Sequence, residues 1–166
     1  GRTFDINGGR RSPLTGVAPP RGGRGQTRGT RDSFVYLLDS DSCFRLLSGR
    51  GDALARQLRS VPPAEVAVCS VVRAELQQAA RRSDRVEENL ELLARFFAPL
   101  ASLPFDDRCA EEYGMLRAQA DTSLDSTDLM TAATARAHDA ILVTPRRTAF
   151  RTLTGLRLAD WTRETN

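Results

Sequence analysis

Short, uninterrupted apolar runs separated by helical segments are the feature that most constrains how this chain can fold. The runs Val35–Leu38, Val66–Cys69 and Ile141–Val143 lack apolar–polar alternation, which is typical of strands covered on both faces of a parallel sheet. A further strand is predicted near Leu156–Ala159. Apolar periodicity predicts helices over roughly 42–49, 52–60, 71–82, 86–97, 107–120 and 126–138. This alternation predicts an α/β fold in three α/β/α layers, with a central, mostly parallel sheet.

The first 32 residues differ in composition from the rest. They contain eight Gly, three Pro and seven Arg but few large apolar residues, so they cannot bury enough surface to offset the entropy lost on ordering. We predict a disordered Arg/Gly-rich extension over residues 1–32 and one folded domain over 33–166. Such a tail can bind RNA through phosphate contacts, and the alternative is a dispensable extension.

Several classes of protein are disfavoured by composition. The sequence has no apolar stretch long enough for a membrane span and no signal-peptide core, so a cytoplasmic protein without membrane contact is expected. The three cysteines (Cys43, Cys69 and Cys109) have no CxxC spacing, which supports neither a disulfide framework nor a zinc knuckle. We predict that all three are small buried residues.

Three acids occupy positions that a folded domain normally fills with apolar side chains. Asp39 closes the first apolar run, Glu75 shares a helix face with apolar neighbours, and Asp128 lies in the first turn of a predicted helix. A buried carboxylate without a partner costs several kcal/mol, so such acids usually have a cation, hydrogen bonds or a shifted pKa. The pattern predicts a metal site.

Each acid also has a structural interpretation. Asp39 would cap the helix that begins near Asp41, and Glu75 would be hydrogen-bonded to a strand end. Asp128 would be the acid of a capping box with Asp125 or Ser126. The single histidine, His138, is predicted to cap a helix C-terminus rather than act as a general base.

The order of these segments resembles the PIN-domain nucleases, and among them the VapC toxins of toxin–antitoxin pairs. The resemblance covers about residues 34–161. Its six blocks are Tyr36–Cys43, Ser70–Leu76, Leu103–Asp106, Ser126–Ala133, Leu142–Thr144 and Gly155–Trp161.

The resemblance implies a PIN-like fold and an endoribonuclease that depends on Mg²⁺ or Mn²⁺. Asp39, Glu75 and Asp128 match the metal-binding and catalytic acids of the family, and hard divalent cations prefer such carboxylate oxygens. An RNA substrate, a cognate antitoxin that fills the acidic cleft, and a homodimer are also implied. Apolar residues on helices of the 86–120 region are expected to supply the dimer surface.

Two positions depart from the family pattern. Arg146 stands where family members usually carry an acid or Asn, two residues after the Thr that ends a strand. This change would either weaken a second metal site or provide a phosphate contact. Asp41 stands where Asn is common, and either compensates for the missing acid or caps the helix.

Two rival functions remain. A degenerate PIN domain would bind RNA or a protein without cleaving it, and Arg146 favours that alternative. A receiver-like regulator would also place acids at strand ends, but it needs a Lys near the final strand and the chain has no Lys.

Overall fold

The computed structural model describes residues 35–119 and 123–163. The predicted extension over 1–32 lies outside these residues. The described strands are β1 (Tyr36–Leu38), β2 (Val66–Cys69), β3 (Ala101–Leu103), β4 (Ile141–Val143) and β5 (Arg157–Ala159). The described α-helices are α1 (Ser40–Leu47), α2 (Asp52–Ser60), α3 (Ser70–Arg81), α4 (Val86–Phe97), α5 (Asp107–Gln119), α6 (Ser126–Ala137) and α7 (Arg147–Phe150), with a 3₁₀ turn at Pro63–Glu65.

The five strands form one sheet in the order β3-β2-β1-β4-β5. Every strand pair is parallel, with Tyr36 opposite Val66 on one side of β1 and opposite Ile141 on the other. The predicted α/β architecture with a parallel sheet is therefore confirmed. Because parallel strands end at the same edge, the residues that follow β1, β2 and β4 are brought together at the carboxyl edge of the sheet.

The sheet is covered on both faces. Side chains alternate between the faces of a strand, and the four residues of β2 are nevertheless all fully buried. Leu37, Leu38 and Leu142 of the neighbouring strands are equally inaccessible. Burial of each such side chain contributes roughly 1.5–3 kcal/mol, so the central strands form a rigid platform for the residues at their ends.

One strand and one α-helix were not predicted from the sequence. Strand β3 lies at the edge of the sheet, and its first two residues, Ala101 and Ser102, are exposed, so it has no apolar run. Helix α7 has only four residues, too few for a helical period. No helix within 35–119 or 123–163 has the length and apolar character needed to cross a membrane.

Candidate active site

Asp39 lies directly after β1, at the carboxyl edge of the sheet. Its backbone N–H donates to the Val143 carbonyl at 3.1 Å, which ties it to the end of β4. Its Oδ1 accepts the Ser42 backbone N–H at 2.7 Å, so Asp39 is the N-cap of α1, as the structural interpretation predicted. Only 2% of the residue is exposed.

The second carboxylate oxygen of Asp39 is unsatisfied. Within the described part of the chain, its buried Oδ2 makes no hydrogen bond of normal geometry. Burial raises the pKa of Asp39 from 3.8 to about 6, against the lowering effect of its polar contacts with Thr144 and Ser42. An unpaired oxygen of this kind is costly in a folded protein. Helix capping therefore accounts for the Oδ1 atom of Asp39 but not for its Oδ2 atom.

Glu75 lies in the second turn of α3 and is half-buried. The Thr127 hydroxyl lies 2.8 Å from its Oε1 and 2.9 Å from Oδ1 of Asp125. One hydroxyl proton serves only one of these acceptors at a time. Burial raises the pKa of Glu75, hydrogen bonds with Thr127 and Ser40 oppose this, and the charges of Asp125 and Asp128 add to the increase.

Asp128 reaches the same place from α6. Asp125 is the N-cap of that helix, and its Oδ1 accepts the Asp128 backbone N–H at 2.8 Å. Asp128 is thus the acid in the first turn of a capped helix, as predicted, and only 9% of it is exposed. The cap fixes the start of α6, which aims the Asp128 side chain toward Arg146.

Arg146 lies within this group of acids. Its guanidinium pairs with Asp128 through Nη2, and its Nε lies 2.6 Å from Oδ2 of Asp41. Its backbone N–H donates to Oγ1 of Thr144 at 3.0 Å, and the guanidinium lies 5.3 Å from the centre of the Phe150 ring. The two positions that depart from the family pattern, Asp41 and Arg146, are therefore in contact.

We call Asp39, Asp41, Glu75, Asp125 and Asp128 the acidic cluster. The three predicted acids converge, since Glu75 is affected by the charge of Asp128, and Arg146 by those of Asp39 and Asp128. Their oxygens are not all within 4.8 Å of one another. The arrangement of the three acids agrees with the sequence prediction, while their catalytic and metal-binding roles stay a prediction.

The donor set fits a hard divalent cation. Carboxylate oxygens are the ligands that Mg²⁺ and Mn²⁺ prefer, and the unsatisfied Oδ2 of Asp39 lacks the partner that a cation would provide. The raised pKa values of Asp39 and Glu75 have the same origin, because both result from negative charge buried without full compensation. Arg146 contributes one positive charge to this site, and it pairs with Asp41 and Asp128.

Three polar residues of this site were assigned no role from the sequence. Ser42 holds Asp39 through its N–H and donates its hydroxyl to Val143 O at 3.0 Å. Thr127 contacts Glu75, and Thr144 accepts the Arg146 N–H. Each lies within three positions of a residue that was singled out, so the signal available was a hydroxyl beside a buried charge.

Comparison with known proteins identifies relatives of this architecture. Residues 36–150 match the family described as PIN domain. Ribonuclease VapC2 of Rickettsia felis is 29% identical over 131 residues, which cover 76% of this chain and 98% of that protein. The tRNA(fMet)-specific endonuclease VapC of Shigella flexneri is 27% identical over 129 residues, 76% of this chain and 97% of the relative.

A solved structure matches as well. The structure of VapBC2 from Rickettsia felis bound to a DNA fragment from their promoter superposes with a TM-score of 0.72 and 28% identity. The match covers 77% of this chain and 99% of the compared chain. The expected PIN-like fold is thereby confirmed.

Proposed function

Because the chain belongs to the PIN-domain family, we propose that it is a divalent-metal-dependent endoribonuclease and the toxin of a toxin–antitoxin pair. The relatives named ribonuclease and endonuclease support RNA cleavage, and the VapBC2 structure supports a toxin–antitoxin assembly. The observation that carries the metal proposal is the buried Asp39 carboxylate, whose Oδ2 makes no hydrogen bond of normal geometry among the described residues. Glu75 and Asp128 converge on the same edge of the sheet.

In this proposal Asp39, Glu75 and Asp128 hold Mg²⁺ or Mn²⁺. When bound, the cation would lower the pKa of a water for attack on the phosphodiester and would neutralise charge that develops on the phosphate. The chain itself sets the positions of the acids. Ser42 fixes one oxygen of Asp39 and leaves the other available, and Thr127 orients Glu75.

Two events prepare the cluster. Asp39 and Glu75 must be ionised to act as ligands, so their raised pKa values delay this step to higher pH. The Arg146 guanidinium must also leave Asp128, because an oxygen paired with it is a poor cation ligand. Once displaced, Arg146 would be free to contact an RNA phosphate, and the exposed Arg147 and Arg151, which follow it in the chain, would add to such contacts.

The test is cleavage of RNA by purified protein in the presence and absence of Mg²⁺. Asp39→Asn, Glu75→Gln and Asp128→Asn should each lower the cleavage rate by at least about 10²-fold, the scale on which loss of one preorganised electrostatic group acts. Asp84→Asn, at an exposed position outside the cluster, is the matched control and should cleave normally. Cleavage that persists in EDTA, or in any of the three cluster variants, contradicts the proposal.

A second candidate function has one specific observation in its favour. Arg146 already compensates part of the negative charge of the cluster, as expected of a domain that binds RNA or a protein without cleaving it. In that case Mg²⁺ would change neither RNA integrity nor thermal stability, while RNA binding would survive in the three cluster variants. The cleavage assay therefore separates the two candidates.

The remaining partners follow from the proposed function. A small antitoxin would occupy the acidic cluster with its own cations and block RNA, and the toxin would act in the cytoplasm, where its substrate lies. A homodimer through the region of α4 and α5 is also proposed. Met115 on α5 is 45% exposed and is the one large apolar side chain that residues 35–119 and 123–163 leave exposed.

A further inference from the structure

A second group of metal-ligand side chains lies outside the acidic cluster. Asp106 precedes α5, Cys109 lies in its first turn, and His138 is the C-cap of α6. One ligand atom from each of these residues lies within 4.8 Å of the other two. His138 follows Asp128 by ten positions on the same helix, about 15 Å along the axis at 1.5 Å per residue, so this group is separate from the acidic cluster.

The three side chains are held in place by their local structure. Oδ1 of Asp106 accepts the Cys109 backbone N–H at 3.0 Å, which caps α5. The Cys109 thiol is fully buried and donates to the Pro104 carbonyl at 3.6 Å. The His138 backbone N–H donates to the Thr134 carbonyl at 3.1 Å. The His138 side chain is thus not needed for the cap.

The imidazole of His138 has a buried nitrogen that lacks a hydrogen-bond partner among the described residues. Its Nε2 is buried and, in the part of the chain that the structure describes, has no hydrogen-bond partner. A buried polar atom without a partner costs about 1–3 kcal/mol. A neutral imidazole carries a lone pair on one nitrogen, and one ring nitrogen of His138 lies within 4.8 Å of ligand atoms of Cys109 and Asp106, which places the imidazole to accept a metal ion.

We propose that Asp106, Cys109 and His138 form a binding site for a borderline-soft divalent cation, Zn²⁺ above all. Imidazole nitrogen, thiolate sulfur and carboxylate oxygen are the donors that Zn²⁺ takes in proteins, whereas Mg²⁺ avoids sulfur. Tetrahedral zinc ligands lie roughly 3.3–3.8 Å from one another, given bonds of about 2.0–2.3 Å. The observed grouping needs only a small contraction to reach that geometry.

Binding releases the Cys109 thiol proton to solvent and replaces the contact with Pro104 by a metal–sulfur bond. Asp106 is exposed, so the ion has an entry path, and a water completes the coordination. The ion would join the start of α5 to the end of α6. The site is therefore expected to stabilise the fold, and it is independent of the metal that the proposed RNA cleavage requires.

The experiment is Co²⁺ titration of the full chain followed by absorption spectroscopy, because Co²⁺ bound to thiolate has a near-ultraviolet charge-transfer band that carboxylate-bound Co²⁺ lacks. Wild-type protein should show this band, and one equivalent of Zn²⁺ should abolish it, whereas excess Mg²⁺ should not. His138→Gln and Asp106→Asn should each weaken Co²⁺ binding at least tenfold. Asn at position 106 retains an oxygen for the Cys109 N–H, so the cap survives that change.

Controls separate this site from the acidic cluster. Asp128→Asn should keep the charge-transfer band even if cleavage is lost, and Cys109→Ser should lose it. In thermal melts Zn²⁺ should raise the Tm of wild-type protein but not that of His138→Gln. Absence of the band in wild-type protein overturns the proposal, as does a band that persists in folded Cys109→Ser or Co²⁺ affinity unchanged in His138→Gln.

Discussion

The cost of ionising Asp39 inside the fold gives a prediction about stability and pH. Burial raises the pKa of Asp39 from 3.8 to about 6, so folded protein binds this proton more tightly than unfolded protein does. In metal-free protein the contribution to stability is fully present below about pH 4 and is lost as pH rises through about 6. At 1.36 kcal/mol per pKa unit, the difference of about two units corresponds to roughly 3 kcal/mol.

Asp39→Asn removes this titration but keeps an oxygen that can accept the Ser42 N–H. Relative to wild type in EDTA, its free energy of unfolding should therefore increase between pH 4 and pH 7, by up to about 3 kcal/mol. The assay is urea denaturation at half-unit steps of pH. Asp84→Asn, at an exposed acid, should follow wild type throughout.

Added Mg²⁺ supplies a second test of the same reasoning. If Asp39 is a ligand, Mg²⁺ should stabilise wild-type protein at pH 7 and have little effect on Asp39→Asn, because binding to the folded state alone raises its stability. If the difference in free energy of unfolding between Asp39→Asn and wild type does not change between pH 4 and pH 7, the argument from burial is refuted. The same holds if Asp39→Asn is destabilised most at neutral pH.

Two further predictions concern charge and assembly. Arg146→Met should bind Mg²⁺ about tenfold more tightly by titration, a gain of about 1.4 kcal/mol, because the ion no longer competes with a guanidinium for Asp128. Arg147→Met, at the exposed neighbour, is its control, and weaker RNA binding with unchanged Mg²⁺ affinity would instead make Arg146 a phosphate ligand. Met115→Glu should shift light scattering from dimer toward monomer, and a wild-type protein that is monomeric at micromolar concentration contradicts the dimer proposal.

The central fold was accessible from sequence because its signal is local. The runs Val66–Cys69 and Ile141–Val143 are strands with the predicted bounds, since continuous burial on two faces admits no polar residue. Strand β3 gave no such signal, because an edge strand with exposed residues is defined by its pairing with β2 rather than by its own side chains. The sequence of a short segment does not indicate which strand it pairs with.

The site residues likewise differ in whether their signal is local in the sequence. Asp39, Glu75 and Asp128 were recognisable because each places a charge in an apolar pattern. The contact between Arg146 and Asp41 was not predictable, because it depends on the packing of α1 against the loop after β4. The grouping of Asp106, Cys109 and His138 was not predicted for a related reason, since two of them are close in sequence and the third is placed beside them by the packing of α6.

The acidic cluster has five carboxylates, and the ion pairs of Arg146 reach two of them, so the negative charge of the cluster is only partly compensated. Arg146 pairs with Asp41 and Asp128, which leaves Asp39 and Glu75 to limit their charge by retaining protons to higher pH. A divalent cation would displace those protons and compete with Arg146 for Asp128. Metal affinity should therefore rise with pH through about 6, the pKa of Asp39, and the rise should persist in Arg146→Met, because the buried Asp39 must still lose its proton to bind the ion.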